Sequence, residues 1–226
     1  MLGALLASSK KFLAFYQAER GKIGKEVHWA QDSSLPVGID YRSTRLQTGM
    51  QVIRLRRVPA VASDAMKIAH ELGHLLLDAE GFPATGAERQ FETISSALNS
   101  MLHDPLVDSR LQIYGFDLWG EYQTELTETF RQLASSPAEP SGRVDRAHWA
   151  FNYAAKILDW ELASHERGVS SNEFQSWFDS RYPAIAQEGQ RLLALVREVG
   201  YDSPEKQTAL FKEIIRRYRL DRLVFL

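Results

Sequence analysis

The chain has 226 residues, 44% of them hydrophobic and 25% charged, with a formal net charge of −2. That is enough apolar sequence to bury a sizeable core, in one domain or in a domain with a large appendage. Cysteine is absent, which excludes disulfides and thiolate metal ligands and favours a reducing, cytoplasmic setting.

Leu2 to Ala7 is apolar but short, and Lys10 and Lys11 follow it. A secretory signal has the reverse order. No stretch has the apolar length of a transmembrane helix. Charge is unevenly spread. Residues 1–60 hold 10 Lys/Arg against 4 Asp/Glu, residues 61–140 hold 4 against 13, and the remainder holds 13 against 12. The acidic middle stretch favours cations and repels nucleic acid.

In chain order, an amphipathic helix is expected from Leu2 to about Arg20, ended by Gly21-Lys22-Ile23-Gly24. Extended pieces follow at Glu26–Trp29 and Val37–Tyr41. In Gln51–Arg57, Ile53 and Leu55 alternate with Arg54 and Arg56, the pattern of a half-buried strand. Pro59 ends it, so a small sheet precedes the next helix. That helix has N-cap residue types at Ser63 and Asp64 and apolar residues at Ala65, Met66, Ile68, Ala69, Leu72 and Leu75–Leu77. Such a helix is buried on most sides.

Inside it lies His70-Glu71-Leu72-Gly73-His74, an H-E-x-x-H run. Residues four apart share a helix face, so both imidazoles can reach one metal ion. Glu71 is one step round the helix, placed to touch a metal-bound water without ligating the metal. Gly73 is a poor helix former, which implies close approach of another element or of the site itself.

Asp78–Pro83 reads as a turn. Thr85-x-x-Glu88 reads as a capping box opening a helix over 86–102. Asp104-Pro105 then reads as an N-cap and first helical residue of a short helix that Gly115 ends. From about Leu118 everything reads helical, with breaks at 135–142, 168–171 and 200–204. The domain reading is a core over 1–117 and a helical region over 118–226, which one continuous domain would also accommodate. The fold class is α+β, mostly helical, with a small N-terminal sheet packed on the H-E-x-x-H helix.

A catalytic zinc usually takes three protein ligands. With cysteine absent, the third is a histidine or carboxylate. Helix 86–102 carries a polar stripe of Glu88, Glu92, Ser95 or Ser96 and Asn99, with His103 just beyond. If this helix and the motif helix form a hairpin about Phe82, residue 92 lies level with the midpoint of His70 and His74. Glu92 is therefore the expected third ligand, with His103, Asp104 and Glu88 as alternatives.

A sheet, an H-E-x-x-H helix and a Glu on the next helix resemble the zincin metallopeptidases in their Glu-ligand, or gluzincin, form. Glu92 follows His74 by 18 residues, similar to the spacing in thermolysin-like enzymes. The small catalytic part is similar to minimal gluzincins, including the ImmA/IrrE-type peptidases. The resemblance covers about residues 35–115. It implies one zinc ion per chain held by His70, His74 and Glu92, with Glu71 as general base for hydrolysis of a peptide or protein substrate. It also implies an extended peptide held by the strand at Gln51–Arg57. An oxyanion helper would come from Tyr114, His148 or Tyr153. The alternative is a zincin-fold metal-binding regulatory protein without protease activity, with the helical C-terminal region as its partner surface. The basic run Arg216-Arg217-Tyr218-Arg219 sits on a net acidic chain, and no nucleic-acid or membrane partner is expected.

Overall fold

The computed structural model describes residues 2–35, 40–45, 48–59, 64–135, 138–165, 167–168 and 172–226. The described chain falls into two compact units, residues 1–81 with 107–116, and residues 82–106 with 117–226. The class is α+β and mostly helical, with its three-stranded sheet near the N-terminus. Among the described residues no helix is long and apolar enough to cross a membrane.

The first unit opens with α1 (Gly3–Ser8) and α2 (Lys10–Glu19) rather than one continuous helix. Ser9 is extended between them, and its hydroxyl accepts from the Phe12 amide, so it caps α2 instead of continuing α1. The strands are β1 (Val27–Gln31), β2 (Tyr41–Arg45) and β3 (Gln51–Leu55), in the order β1-β3-β2. β3 is parallel to β1 and antiparallel to β2. The expected strand at Val37–Tyr41 lies, for residues 37–39, outside the described residues. β3 is the central strand, and Gln51, Val52, Ile53 and Leu55 are all buried. It is therefore more buried than the half-buried expectation, since Gln51 and Val52 are covered as well as Ile53 and Leu55.

The motif helix α3 spans Asp64–Ala79. The expected cap at Ser63 lies outside the described residues. Polar bonds tie α3 to β3 at both ends. Arg57 makes a two-pronged contact to the buried Asp64 carboxylate, and Gln51 Nε2 donates to Asp78 Oδ2 at 3.0 Å. β3 and α3 thus run in opposite directions, which holds the middle turns of α3 at a fixed height against the sheet.

One helix, α4 (Glu92–Ile113), replaces the two expected there, and Pro105 lies inside it. Its turns up to residue 106 belong to the second unit and its last turns to the first. The second unit continues with α5 (Leu118–Ala134), α6 (Arg143–His165), α7 (Glu173–Arg181), α8 (Pro183–Val199) and α9 (Pro204–Arg217). The expected breaks at 135–142 and 168–171 hold residues 136–137 and 169–171, which lie outside the described residues. Phe151, Tyr153, Phe174, Phe178, Tyr182 and Phe211 fill the core of this unit. Sequence reading missed a two-stranded sheet, β4 (Gly86–Ala87) with β5 (Val224–Phe225).

At the end of α9, Arg219 has φ +54°, the one positive-φ non-glycine among the described residues. The Leu220 amide donates to the Ile215 carbonyl at 2.8 Å. That is the Schellman arrangement, which glycine usually closes. An L-residue in the left-handed region costs about 1 kcal/mol or more.

In the first unit the Tyr114 hydroxyl donates to the Glu19 carboxylate, which Lys22 also contacts. Burial pushes the Glu19 carboxyl up, but Tyr114 and Lys22 pull it down further, so it lies below its ordinary value. A depressed carboxyl stabilises the fold above its unfolded pKa and loses that contribution as pH falls through the folded one. Tyr114→Phe is therefore expected to cost about 1–2 kcal/mol at neutral pH, and less in acid below the ordinary carboxylate range, where Glu19 protonates. Urea midpoints at both pH values check this. A deficit independent of pH would contradict it.

Candidate metal centre

His70 and His74 occupy successive turns of α3. Their Nε2 atoms are 3.0 Å apart and their rings meet edge to face, with centroids 4.7 Å apart. Two imidazole nitrogens at that distance share either a proton or a cation. Asp108 bears on the choice. Its Oδ1 lies 2.8 Å from His70 Nδ1, and the carboxylate is 3% exposed. A carboxylate only accepts, so Nδ1 carries the proton and Nε2 turns its lone pair toward His74. Such an outer carboxylate fixes the tautomer and raises the ligand's basicity.

Asp104 lies one turn before Asp108 on α4, so both carboxylates project from the same side of that helix. The ligand atoms of His70, His74 and Asp104 lie within 4.8 Å of one another. Among the described residues this is the group that could hold a metal ion. Two imidazoles and a carboxylate suit zinc and several other divalent ions.

Gly73 explains how α4 comes so near. A Cβ there would stand 2.4 Å from Val107 Cγ1, less than any real carbon–carbon contact. The close approach expected from sequence is that of α4, and it occurs one residue from the Asp108 that contacts His70.

Glu71 turns toward the sheet, where its Oε2 accepts from the Ser43 backbone amide at 2.5 Å. The Arg56 amide donates to the Asp40 carbonyl at 2.8 Å. That makes residues 40, 42 and 44 the ones that exchange bonds with β3. The Ser43 amide therefore points outward from the free edge of β2, and Glu71 occupies that edge. β3 itself is flanked on both sides, so it has no free edge for a peptide, contrary to the expectation for Gln51–Arg57.

The remaining sequence candidates lie elsewhere. Glu92 is the exposed first residue of α4, twelve residues and about 18 Å along the helix from Asp104. Glu88 is exposed, caps a short 3-10 turn at Arg89–Phe91 and accepts from Gln90. His103 is buried and donates from Nε2 to the Pro83 carbonyl at 2.9 Å. The hairpin register fails because β4 and the 3-10 turn intervene, so α4 starts later than a tight turn about Phe82 requires. Thr85 does not cap α4. It is buried, and Ser95 and Asn99 grip its backbone and hydroxyl at 2.8–3.1 Å. Half of the polar stripe thus anchors this segment.

Asp104 is mid-helix rather than an N-cap, and Asp108 was missed. The usable signal was Asp104-x-x-x-Asp108, which repeats the spacing of His70 and His74; reading Pro105 as a helix start hid it. Of the oxyanion candidates, Tyr114 is bound to Glu19, and its hydroxyl is pushed up to about 12 by burial and by that carboxylate. Tyr153 is 1% exposed, donates to Asp179 and accepts from Gln190, both at 2.7 Å. Burial lowers the pKa of His148.

The fold and site define a mostly helical α+β protein with a His-His-Asp group across two helices. No protein-family model, no curated protein and no solved structure matches the chain.

Proposed function

We propose that the chain holds one zinc ion through His70, His74 and Asp104 and hydrolyses peptide bonds with Glu71 as general base. The observation that carries this reading is the convergence of two Nε2 atoms from an H-E-x-x-H helix with a carboxylate, while Asp108 holds the outer proton of His70. A divalent cation at such a group supplies Lewis acidity and an acidified water. Asp108 keeps His70 in the ligating tautomer. Glu71 accepts a proton from the attacking water and passes it to the leaving amine. The free edge of β2 offers outward backbone groups for an extended peptide, and a peptide seated there competes with Glu71 for the Ser43 amide.

A second reading, a metal-binding regulatory protein, draws on that same bond: Glu71 ties α3 to β2 and so has a structural use without catalysis.

Elemental analysis of the purified protein tests the site. About one zinc per chain is expected in the wild type and in Glu92→Ala, and none in His74→Ala or Asp104→Ala. Zinc kept in Asp104→Ala but lost in Glu92→Ala would restore the Glu92 assignment. A wild type that stays metal-free after zinc is supplied would sink both readings.

A further inference from the structure

The second unit carries a cleft of about 440 Å³ whose wall includes Arg143, Arg146, Arg191, Arg217 and Arg219 against a single carboxylate, Glu188. These arginines come from distant parts of the chain. The first turn of α6 supplies two, α8 one, and the end of α9 the other two. Arg146 pairs with Glu188, and Arg217 reaches Glu213 at 3.3 Å. Among the described residues Arg143, Arg191 and Arg219 have no ion pair.

Guanidinium groups gathered in one cleft repel each other and raise the local concentration of anions. Their planar forks match phosphate oxygens in pairs. Arg219 adds an independent sign. It holds the left-handed position that glycine would take more easily, so its side chain is kept at the expense of its backbone. The cleft is not wholly polar, since Leu192 and the half-buried Tyr218 also line it. Burial pushes the Tyr218 hydroxyl up to about 12, so it stays a neutral donor at physiological pH. The volume lies within the range of small-molecule sites.

We propose that this cleft binds a small phosphate-bearing anion carrying two or more phosphate groups, with the arginines on the phosphates and Tyr218 and Leu192 beside the remainder of the molecule. It is a site separate in residues and chemistry from the His-His-Asp group.

Calorimetric titration of the full chain with inorganic pyrophosphate, a nucleoside triphosphate and a short single-stranded oligonucleotide tests this. One saturable site with a Kd below about 1 mM is expected for pyrophosphate or the triphosphate. Tighter binding of the triphosphate than of inorganic tripolyphosphate, titrated beside it, would identify a nucleotide, and equal binding a simple polyphosphate; either supports the site. Arg191→Gln should weaken binding about tenfold or more. Arg219→Gly should weaken it too while leaving the ligand-free melting temperature unchanged or higher, because glycine suits that cap. Lost affinity therefore cannot be misfolding. No saturable binding, binding undiminished in both variants, or binding of the oligonucleotide alone with a steep salt dependence would each overturn the proposal.

Discussion

Glu71→Gln should leave the zinc content at the wild-type level and lower peptide hydrolysis by about 10²–10⁴-fold, the usual worth of a general base. The change nearly conserves shape. The Gln carbonyl oxygen can still accept from the Ser43 amide, so the tie between α3 and β2 persists. It removes the one property the reaction needs, a carboxylate able to take a proton. Elemental analysis beside cleavage of a quenched-fluorescence peptide library separates the outcomes. Zinc retained with cleavage abolished supports the hydrolase. Cleavage retained at the wild-type rate would remove Glu71 from the chemistry. Zinc lost together with cleavage would make Glu71 a structural residue, and a zinc-bound wild type that cleaves nothing would favour the regulatory reading.

Gly73→Ala should destabilise the protein by about 1–3 kcal/mol and weaken metal binding about tenfold or more. Helix propensity alone predicts the opposite sign, since Ala is better than Gly by about 1 kcal/mol in a helix interior. The steric term decides. The new methyl would stand 2.4 Å from Val107 Cγ1, and the turn of α4 that carries Asp104 and Asp108 must retreat to relieve it. Val107→Ala alone should cost roughly 2 kcal/mol through lost burial. The double variant Gly73→Ala/Val107→Ala should recover much of both losses, because the second truncation makes room for the methyl. Urea unfolding with a metal-competition titration measures both effects. A Gly73→Ala protein as stable as wild type and equally metal-tight would show that the helix contact does not set the ligand spacing.

The motif helix and β3 were legible because their determinants are local. H-E-x-x-H declares its own geometry, because a helix fixes the relation of His70 to His74 whatever surrounds it. The apolar run after Asp64 bounds α3, and the alternation about Ile53 and Leu55 marks β3. Sequence reading failed where the answer lay in a partner. The third member of the group lies on α4, which starts only after β4 and a 3-10 turn, and β4 pairs with a strand more than a hundred residues away. No periodicity near residue 86 announces a strand of two residues. Pro105 misled in the other direction, since its usual role as a first helical residue is a statistical habit that α4 does not follow. Asp108 could have been found from its spacing to Asp104. The burial of Gln51 and Val52 could not, because it depends on what packs against β3 and not on the alternation of the strand itself.

The pairing of Gly86–Ala87 with Val224–Phe225 also sets a timetable for synthesis. The 82–106 segment leaves the ribosome long before its partner strand exists. At ordinary elongation rates that interval is on the order of ten seconds. During it, Gly86 and Ala87 have no strand to pair with. A nascent chain stalled before residue 224 should therefore hold His70, His74 and Asp108, all made early, while β4 still lacks its partner strand.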